Sequence, residues 1–190
     1  MEIDHNFRKT LRELKKLDAE AFNSFTSSLQ DGSCLKGKHL LRSMNVCDSI
    51  FFLDTGIIRE YITTKDKEYN IWFSFEGDIA CDMQSMLSNS RSNINIECLT
   101  DVTYRSIKRK AIIELASRNH TIETVYRKLL EASLVKIENR SIRMQTLDAK
   151  SHYQYLLLHH PRFISDISLT HLASYLGITK ESLSRIRRQY

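Results

Sequence analysis

Near the start of the chain, apolar side chains at Phe7, Leu11, Leu14, Leu17, Ala21, Phe22 and Phe25 fall mostly three or four residues apart, with Lys and Arg between them. That period predicts one or two amphipathic helices across residues 5–29. Gly32 and Gly37 interrupt it, and from 35 to 113 the pattern changes. Short runs rich in β-branched and aromatic residues follow one another: Ser49-Ile50-Phe51-Phe52-Leu53, Ile57-Ile58-Arg59-Glu60-Tyr61-Ile62, Asn70-Ile71-Trp72-Phe73-Ser74-Phe75, Asn93-Ile94-Asn95-Ile96-Glu97-Cys98 and Val102-Thr103-Tyr104-Arg105-Ser106-Ile107. Turn signals such as Asp54-Thr55-Gly56, Lys65-Asp66-Lys67 and Glu76-Gly77-Asp78 separate them. Many short strands at this spacing predict a β-sandwich or small barrel.

Beyond Ser117-Arg118-Asn119 no Gly or Pro occurs before Pro161, and the period returns to that of a helix. Ile122, Tyr126, Leu129, Ser133, Ile137, Arg140, Met144 and Leu147 fall near a seven-residue repeat, while Val125, Leu130, Leu134 and Ile142 widen the apolar face. A long helix with two apolar faces needs two partners. The β region of its own chain can cover one face and the same helix of a second subunit the other. On that reading Ile122, Tyr126, Leu129, Ile137 and Met144 line a dimer seam; a helix buried wholly within a monomer is the second reading. A shorter helix, with Tyr153, Leu156 and Leu157 on one face, is expected from Ala149 until Pro161 stops it.

The last segment carries the chemistry. Ser168 can cap a helix that buries Leu172, Ala173 and Leu176, Gly177 supplies a sharp turn, and Thr179 can cap a second helix that buries Leu183 and Ile186. Two short helices joined this way predict a helix-turn-helix. On the second helix Lys180, Glu181, Ser184, Arg185 and Arg188 fall away from Leu183 and Ile186. In the major groove Arg can bond guanine and Glu can accept from cytosine N4, so Lys180, Glu181 and Arg185 are the expected base readers. Ser168, Thr170, Thr179 and Ser184 are placed for phosphate or groove contacts, and Arg187 and Arg188 for general attraction to the duplex.

Composition changes this picture little. Lys and Arg exceed Asp and Glu by 28 to 23, and the excess gathers at the end, where Lys180, Arg185, Arg187 and Arg188 stand against Glu181 alone. Cys34, Cys47, Cys81 and Cys98 are widely and unequally spaced, with no paired motif for zinc, a cluster or redox exchange, and are expected to be reduced, mostly buried thiols. No membrane span or secretory leader is visible, which predicts a cytoplasmic protein without a membrane partner. No Ser/His/Asp constellation, metal triad or phosphate-binding loop stands out, so neither catalytic nor metal-binding residues are expected.

The run Leu172-Ala173-Ser174-Tyr175-Leu176-Gly177-Ile178-Thr179, with Ser184-Arg185-Ile186-Arg187 after it, resembles the helix-turn-helix of the Crp/Fnr superfamily of bacterial regulators, especially its Bacteroidetes members. More weakly, Lys36-Gly37-Lys38 and Ile50-Phe51-Phe52-Leu53-Asp54-Thr55-Gly56-Ile57-Ile58-Arg59 resemble the opening strands of that family's cyclic-nucleotide-binding-like jelly roll. The resemblance implies an α+β fold: an N-terminal β-roll with flanking helices, a long dimerisation helix and a C-terminal helix-turn-helix. It implies a sensor domain over 1–118, a dimerisation helix over 119–147 and a DNA-binding domain over 148–190. It further implies a homodimeric, effector-controlled transcriptional regulator whose partners are double-stranded DNA at a pseudo-palindromic site, a second copy of the chain, and RNA polymerase.

A cyclic nucleotide is the cofactor that the resemblance raises, with Gly77, Asp78, Arg91 and Ser92 at the positions of the family's phosphate cassette. The residues depart from that cassette. Asp78 is one methylene shorter than the family's Glu, Asn93 replaces a small Ala, Asp82 adds an anion, and the spacing from Gly77 to Arg91 is longer; Arg91 reads better as an ordinary loop cation. The alternative reading of the chain is a small-molecule signalling module without specific DNA binding.

Overall fold

The computed structural model describes residues 16, 18–65 and 67–190. The expected helical positions Phe7, Leu11, Leu14 and Leu17 lie outside them. The described elements run α1 (Ala19–Ser27), β1 (Gln30–Cys34), β2 (His39–Leu41), β3 (Ser49–Thr55), β4 (Ile58–Thr64), β5 (Lys67–Ser74), β6 (Ile79–Ala80), α2 (Met83–Ser88), β7 (Asn95–Cys98) and β8 (Val102–Lys108). Helices then follow: α3 (Arg109–Arg118), α4 (His120–Thr146), α5 (Ala149–His159), α6 (Pro161–Ser165), α7 (Leu169–Tyr175) and α8 (Lys180–Arg187). The strands form two four-stranded sheets, ordered β1-β8-β3-β6 and β2-β7-β4-β5. This is the α+β architecture of a two-sheet roll with helices.

The alternation of β3 explains why a roll with flanking helices forms. Successive strand residues point to opposite faces. Ile50 and Phe52 enter a cluster with Ala21, Phe25, Ile112, Ile122, Val125 and Leu129, whereas Leu53, with Phe51 packed alongside, enters a second cluster with Leu41, Ile58, Ile96, Cys98 and Val102. A strand buried on both faces reads as a continuous apolar run, as Ile50-Phe51-Phe52-Leu53 does. Each such side chain fully removed from water contributes about 1.5–3 kcal/mol.

Three strands and three helices differ from the expected pattern. The polar β1 is a strand because it pairs with β8, setting Gly32 opposite Tyr104. The aromatic ring lies so close over the glycine that an added Cβ would come within 2.5 Å of it. The strands β2 and β6 are only three and two residues long, too short to carry a period. The helix α2 starts where the Asp82 carboxylate accepts the Ser85 N–H at 3.2 Å and stops at Asn89, which adopts φ +51°. Buried Met86 anchors it. Residues 109–118 form their own helix, α3, rather than the end of the β region. Pro161, expected only to stop a helix, also opens α6 at its first turn, where a missing N–H costs nothing.

By internal contacts the chain divides into two compact units. The first comprises the residues up to Arg59 together with Ser74–Leu134, the second Glu60–Phe73 together with Val135–Tyr190. The second unit thus takes in the β4–β5 hairpin from the middle of the strand region. Both units contain part of α4. In the first, Ile122, Val125, Leu129 and Ala132 are buried, with Tyr126 packed against the same cluster. Ile122 (1% exposed) and Leu129 (7%), which the seven-residue repeat had placed in a seam, are therefore covered by their own chain. The reason is packing with α1, α2 and β3, which claims this face first. Among the described residues no helix is long and apolar enough to cross a membrane.

Candidate nucleic-acid interface

The site is built on α7 and α8, and local chemistry sets both. The Ser168 hydroxyl accepts the His171 N–H at 3.2 Å, capping α7. At its other end Gly177 takes φ +72°; the Ile178 N–H reaches back to the Ala173 carbonyl at 3.0 Å and the Gly177 N–H to the Ser174 carbonyl at 3.2 Å. That double closure is a Schellman ending, which a residue with a Cβ disfavours because φ must be positive. The Thr179 hydroxyl then accepts the Ser182 N–H at 3.2 Å and starts α8. Leu172, Ala173, Leu176 and Leu183 are buried and hold the two helices together, with Ile186 half-buried beside them.

With that inner face fixed, the opposite face is set. Lys180, Glu181, Ser184, Arg185 and Arg188 line one open depression with Leu169 of α7. All but Ser184 and Leu169 are exposed, and Ser184 is half-buried. Glu181 lies in the first turn of α8, where the helix dipole favours an anion, and Arg185 and Arg187 lie in the last, where it favours cations. Arg185 donates to the Ser182 hydroxyl at 3.3 Å, which restrains the guanidinium near Thr179. Ser168, Thr170, Thr179 and Arg187 are exposed as well.

Beneath this face lies a support that sequence reasoning missed. The β4–β5 hairpin clasps α7: the Ser174 hydroxyl donates to the Glu68 carbonyl at 2.9 Å and accepts the Asn70 N–H at 3.1 Å, while the Asn70 side-chain amide donates to the His171 carbonyl at 3.1 Å. Trp72 meets Phe163 edge-to-face at 5.4 Å between ring centroids and Tyr175 at 6.2 Å. Three cations of α4 complete the unit. The Lys136 ammonium sits 4.1 Å from the Trp72 ring centre, Arg140 5.4 Å from Tyr175 and Arg143 4.5 Å from Tyr155. Trp72, the one tryptophan of the chain, standing in a strand before an aromatic run, was the available signal.

Burial shapes the titration of this support. His152, 2% exposed, is pushed down to about 4, first by loss of water and then by Arg143, Arg140 and His160. The phenol of Tyr175 is pushed up by burial, against the pull of Arg140 and Arg143.

The four residues expected at a phosphate cassette belong to the first unit. Gly77 adopts φ +89° and donates its N–H to the Leu53 carbonyl at 2.9 Å. The Asp78 carboxylate accepts the Phe75 N–H at 2.8 Å and closes that turn. Arg91 is exposed. Ser92 is buried, and its hydroxyl donates to the Ile94 carbonyl while accepting the Ile94 N–H, both at 3.0 Å. Asp78 and Ser92 thus use their side chains to hold the backbone. No group of His, Cys, Asp and Glu among the described residues has the arrangement of a metal site.

No family model and no curated protein matches the chain at the level of sequence. Solved structures do match it. The CooA variant from Carboxydothermus hydrogenoformans shares 16% identity over 93% of this chain and 82% of its own, with a TM-score of 0.70. FixK2 from Bradyrhizobium japonicum shares 20% over 85% and 83%, with a TM-score of 0.69. A protein from Eubacterium rectale described as a transcriptional regulator of the Crp/Fnr family shares 16% over 92% and 84%, with a TM-score of 0.68. The resemblance first carried by the helix-turn-helix residues thus extends to the whole described architecture, and the chain has the fold of the Crp/Fnr regulators.

Proposed function

We propose that the chain is a homodimeric, sequence-specific DNA-binding transcriptional regulator of the Crp/Fnr type, with α8 as its reading helix. One observation carries the proposal: two capped helices, closed by Gly177, turn Lys180, Glu181, Ser184, Arg185 and Arg188 onto a single open face. A helix so presented enters the major groove by its N-terminal half. Lys180, Glu181 and Arg185 read base edges, Ser168, Thr170, Thr179 and Ser184 contact the backbone or groove wall, and Arg187 and Arg188 attract the duplex.

The dimer is supported by a row of exposed apolar side chains on α4: Leu134 (65% exposed), Ile137 (58%), Ile142 (51%) and Met144 (41%). Leu134, Ile137 and Met144 keep the three-four spacing of a helix seam with the polar Ser141 at the intervening position, and Ile142 lies one residue beside it. Ile137 and Met144 stay in the seam, Leu134 joins it, and the target is a pseudo-palindrome with half-sites about 34 Å apart. The same fold in the CooA, FixK2 and Eubacterium rectale proteins agrees with this reading. No observation in the roll favours the alternative of a cyclic-nucleotide module without DNA binding.

Selection of tight binders from a randomised duplex library, followed by fluorescence anisotropy on the winning sequence, tests the proposal. Arg185→Ala is expected to weaken binding by about 1–3 kcal/mol and to relax preference at one base pair per half-site. Arg188→Ala is expected to weaken all sequences alike and to flatten the salt dependence. Unchanged sequence preference in Arg185→Ala and Glu181→Ala together would remove the base-reading assignment.

A further inference from the structure

Four cysteines that share no motif in the sequence are not equivalent in the fold. Cys47, in the segment before β3, and Cys81, between β6 and α2, are 34 residues apart, yet their sulfurs lie 3.7 Å from each other. A disulfide bond is about 2.05 Å long, so the two sulfurs need close by only about 1.7 Å. Their surroundings differ in a useful way. Cys47 is buried, at 1% exposure, whereas Cys81 is half-buried and within reach of solvent. The thiol of Cys47 is held below its usual range, chiefly by the hydrogen bond with Cys81 and against the effect of burial, so it gives up its proton more readily than an ordinary buried thiol.

The other two cysteines make the contrast. Cys98 is wholly buried, and its thiol is pushed far up, first by burial and then by Cys34. A thiol held protonated in an apolar interior is a poor nucleophile.

We infer that Cys47 and Cys81 are a peroxide-sensitive thiol pair, which closes to an intramolecular disulfide and reopens on reduction. Cys81, the accessible partner, passes its proton along the S···S contact to the Cys47 thiolate and attacks the terminal oxygen of a hydroperoxide; the O–O bond breaks, the alkoxide takes that proton and leaves as an alcohol (water, for hydrogen peroxide), Cys47 is again a thiolate, and Cys81 becomes a sulfenic acid. The Cys47 thiolate then attacks the Cys81 sulfur, the S–O bond breaks, and hydroxide leaves with a proton as water. Two thiols and one hydroperoxide give one disulfide, one alcohol and one water. The sulfurs together lose two electrons, which the hydroperoxide gains.

The position gives the bond leverage. The Cys47 N–H donates to the Ser85 hydroxyl of α2 at 2.8 Å, and that hydroxyl donates to the Ser90 carbonyl at 2.6 Å. Just before Cys47, the Ser92 N–H donates to the Asn45 carbonyl and the Met44 N–H to the Ser92 carbonyl, both at 2.8 Å. A disulfide at 47–81 would lock this hydrogen-bonded knot around residues 77–92 covalently.

The test uses the full chain in its reduced form, treated with a few equivalents of hydrogen peroxide. Free thiols are counted by maleimide mass-tagging, and peptides are mapped without reduction. The expected result is loss of two of the four thiols, a linked peptide pair containing Cys47 and Cys81, and full recovery with dithiothreitol. A Cys34→Ala/Cys98→Ala variant is expected to respond in the same way, and the wild-type peptide map stands as the decisive reading if that variant does not fold. Four thiols still titratable, a linkage through Cys34 or Cys98, a linkage between two chains, or Cys81 driven to sulfinic acid without a linked peptide would each overturn the inference.

Discussion

The two halves of α4 obey different rules, although they belong to one unbroken helix of 27 residues. The first half is a core helix: Ile122, Val125, Leu129 and Ala132 are buried in an apolar cluster with Ile50, Phe52 and Phe25. The second half buries no apolar side chain to that degree. Leu134, Ile137, Ile142 and Met144 are exposed, and the helix engages its own unit through Lys136, Arg140 and Arg143 set over aromatic rings. A continuous heptad therefore does not mean a continuous function. The first half is spent on the chain's own stability, and only the second has apolar surface left to offer a second subunit.

The largest effect expected is the one that separates these halves most sharply. Leu129→Ala removes a buried side chain and is expected to cost about 2–5 kcal/mol in a urea unfolding experiment. Leu134→Glu, five residues later, changes a side chain that is 65% exposed and is expected to shift monomer stability by less than about 0.5 kcal/mol. In sedimentation at matched concentrations, Leu134→Glu is instead expected to move the chain from dimer to monomer, an outcome that Leu129→Ala does not share while folded. Equal effects of the two changes in both measurements would erase the distinction between the halves.

How much of this was legible beforehand follows the same division. The helix-turn-helix was readable because its signals are local: Ser168, Gly177 and Thr179 act on residues within a few positions, and their bonds form as expected. That Ile122 and Leu129 of α4 are buried by their own chain was not readable, because periodicity marks an apolar face without saying what covers it. The aromatic and hydrogen-bonded support of α7 had only Trp72 as a signal, for a related reason. Asn70 and Ser174 are 104 residues apart and meet only through the fold, as do Cys47 and Cys81. The polar β1 became a strand through Tyr104 packed over Gly32, a contact that no property of Gln30-Asp31-Gly32-Ser33-Cys34 announces.

A middle-sized effect probes the chemistry around the second half of α4. His152 has a pKa of about 4 in the folded chain, against 6.5 for an ordinary histidine, because burial and the nearby Arg143, Arg140 and His160 disfavour its charged form. The folded state thus prefers the neutral ring. Its stability is undiminished above the ordinary value and falls as pH drops from about 6.5 to about 4, with a ceiling of about 3 kcal/mol. His152→Leu is expected to remove that slope in unfolding experiments across this window. Asp148 and Asp166, in the same unit, do not blur the reading. Their carboxyls are held low by the Ser151 N–H, and by Ser165 and Arg162, so the stability they contribute is lost only at more acid pH. The same slope in wild type and variant would show that the Arg140 and Arg143 cluster does not disfavour a charged ring.

The smallest expected effect tests how the second half of α4 is held at all. Lys136→Gln keeps the length and polarity of the side chain but removes the charge lying 4.1 Å from the Trp72 ring. The cation–π term at a partly exposed position is about 0.5–1 kcal/mol, so a fall in Tm of a few degrees is expected. Lys136→Arg should restore most of it, since a guanidinium also stacks on an aromatic face. Because Trp72 packs on Phe163 and on Tyr175, the last residue of α7, Lys136→Gln should also raise amide exchange in α7 without changing the charge of the α8 face itself. A loss of stability that Lys136→Arg fails to restore would mean that the lysine stem, packed on the ring, holds this half of α4 by the same apolar contact as the first, and the contrast between the two halves would narrow to one of exposure alone.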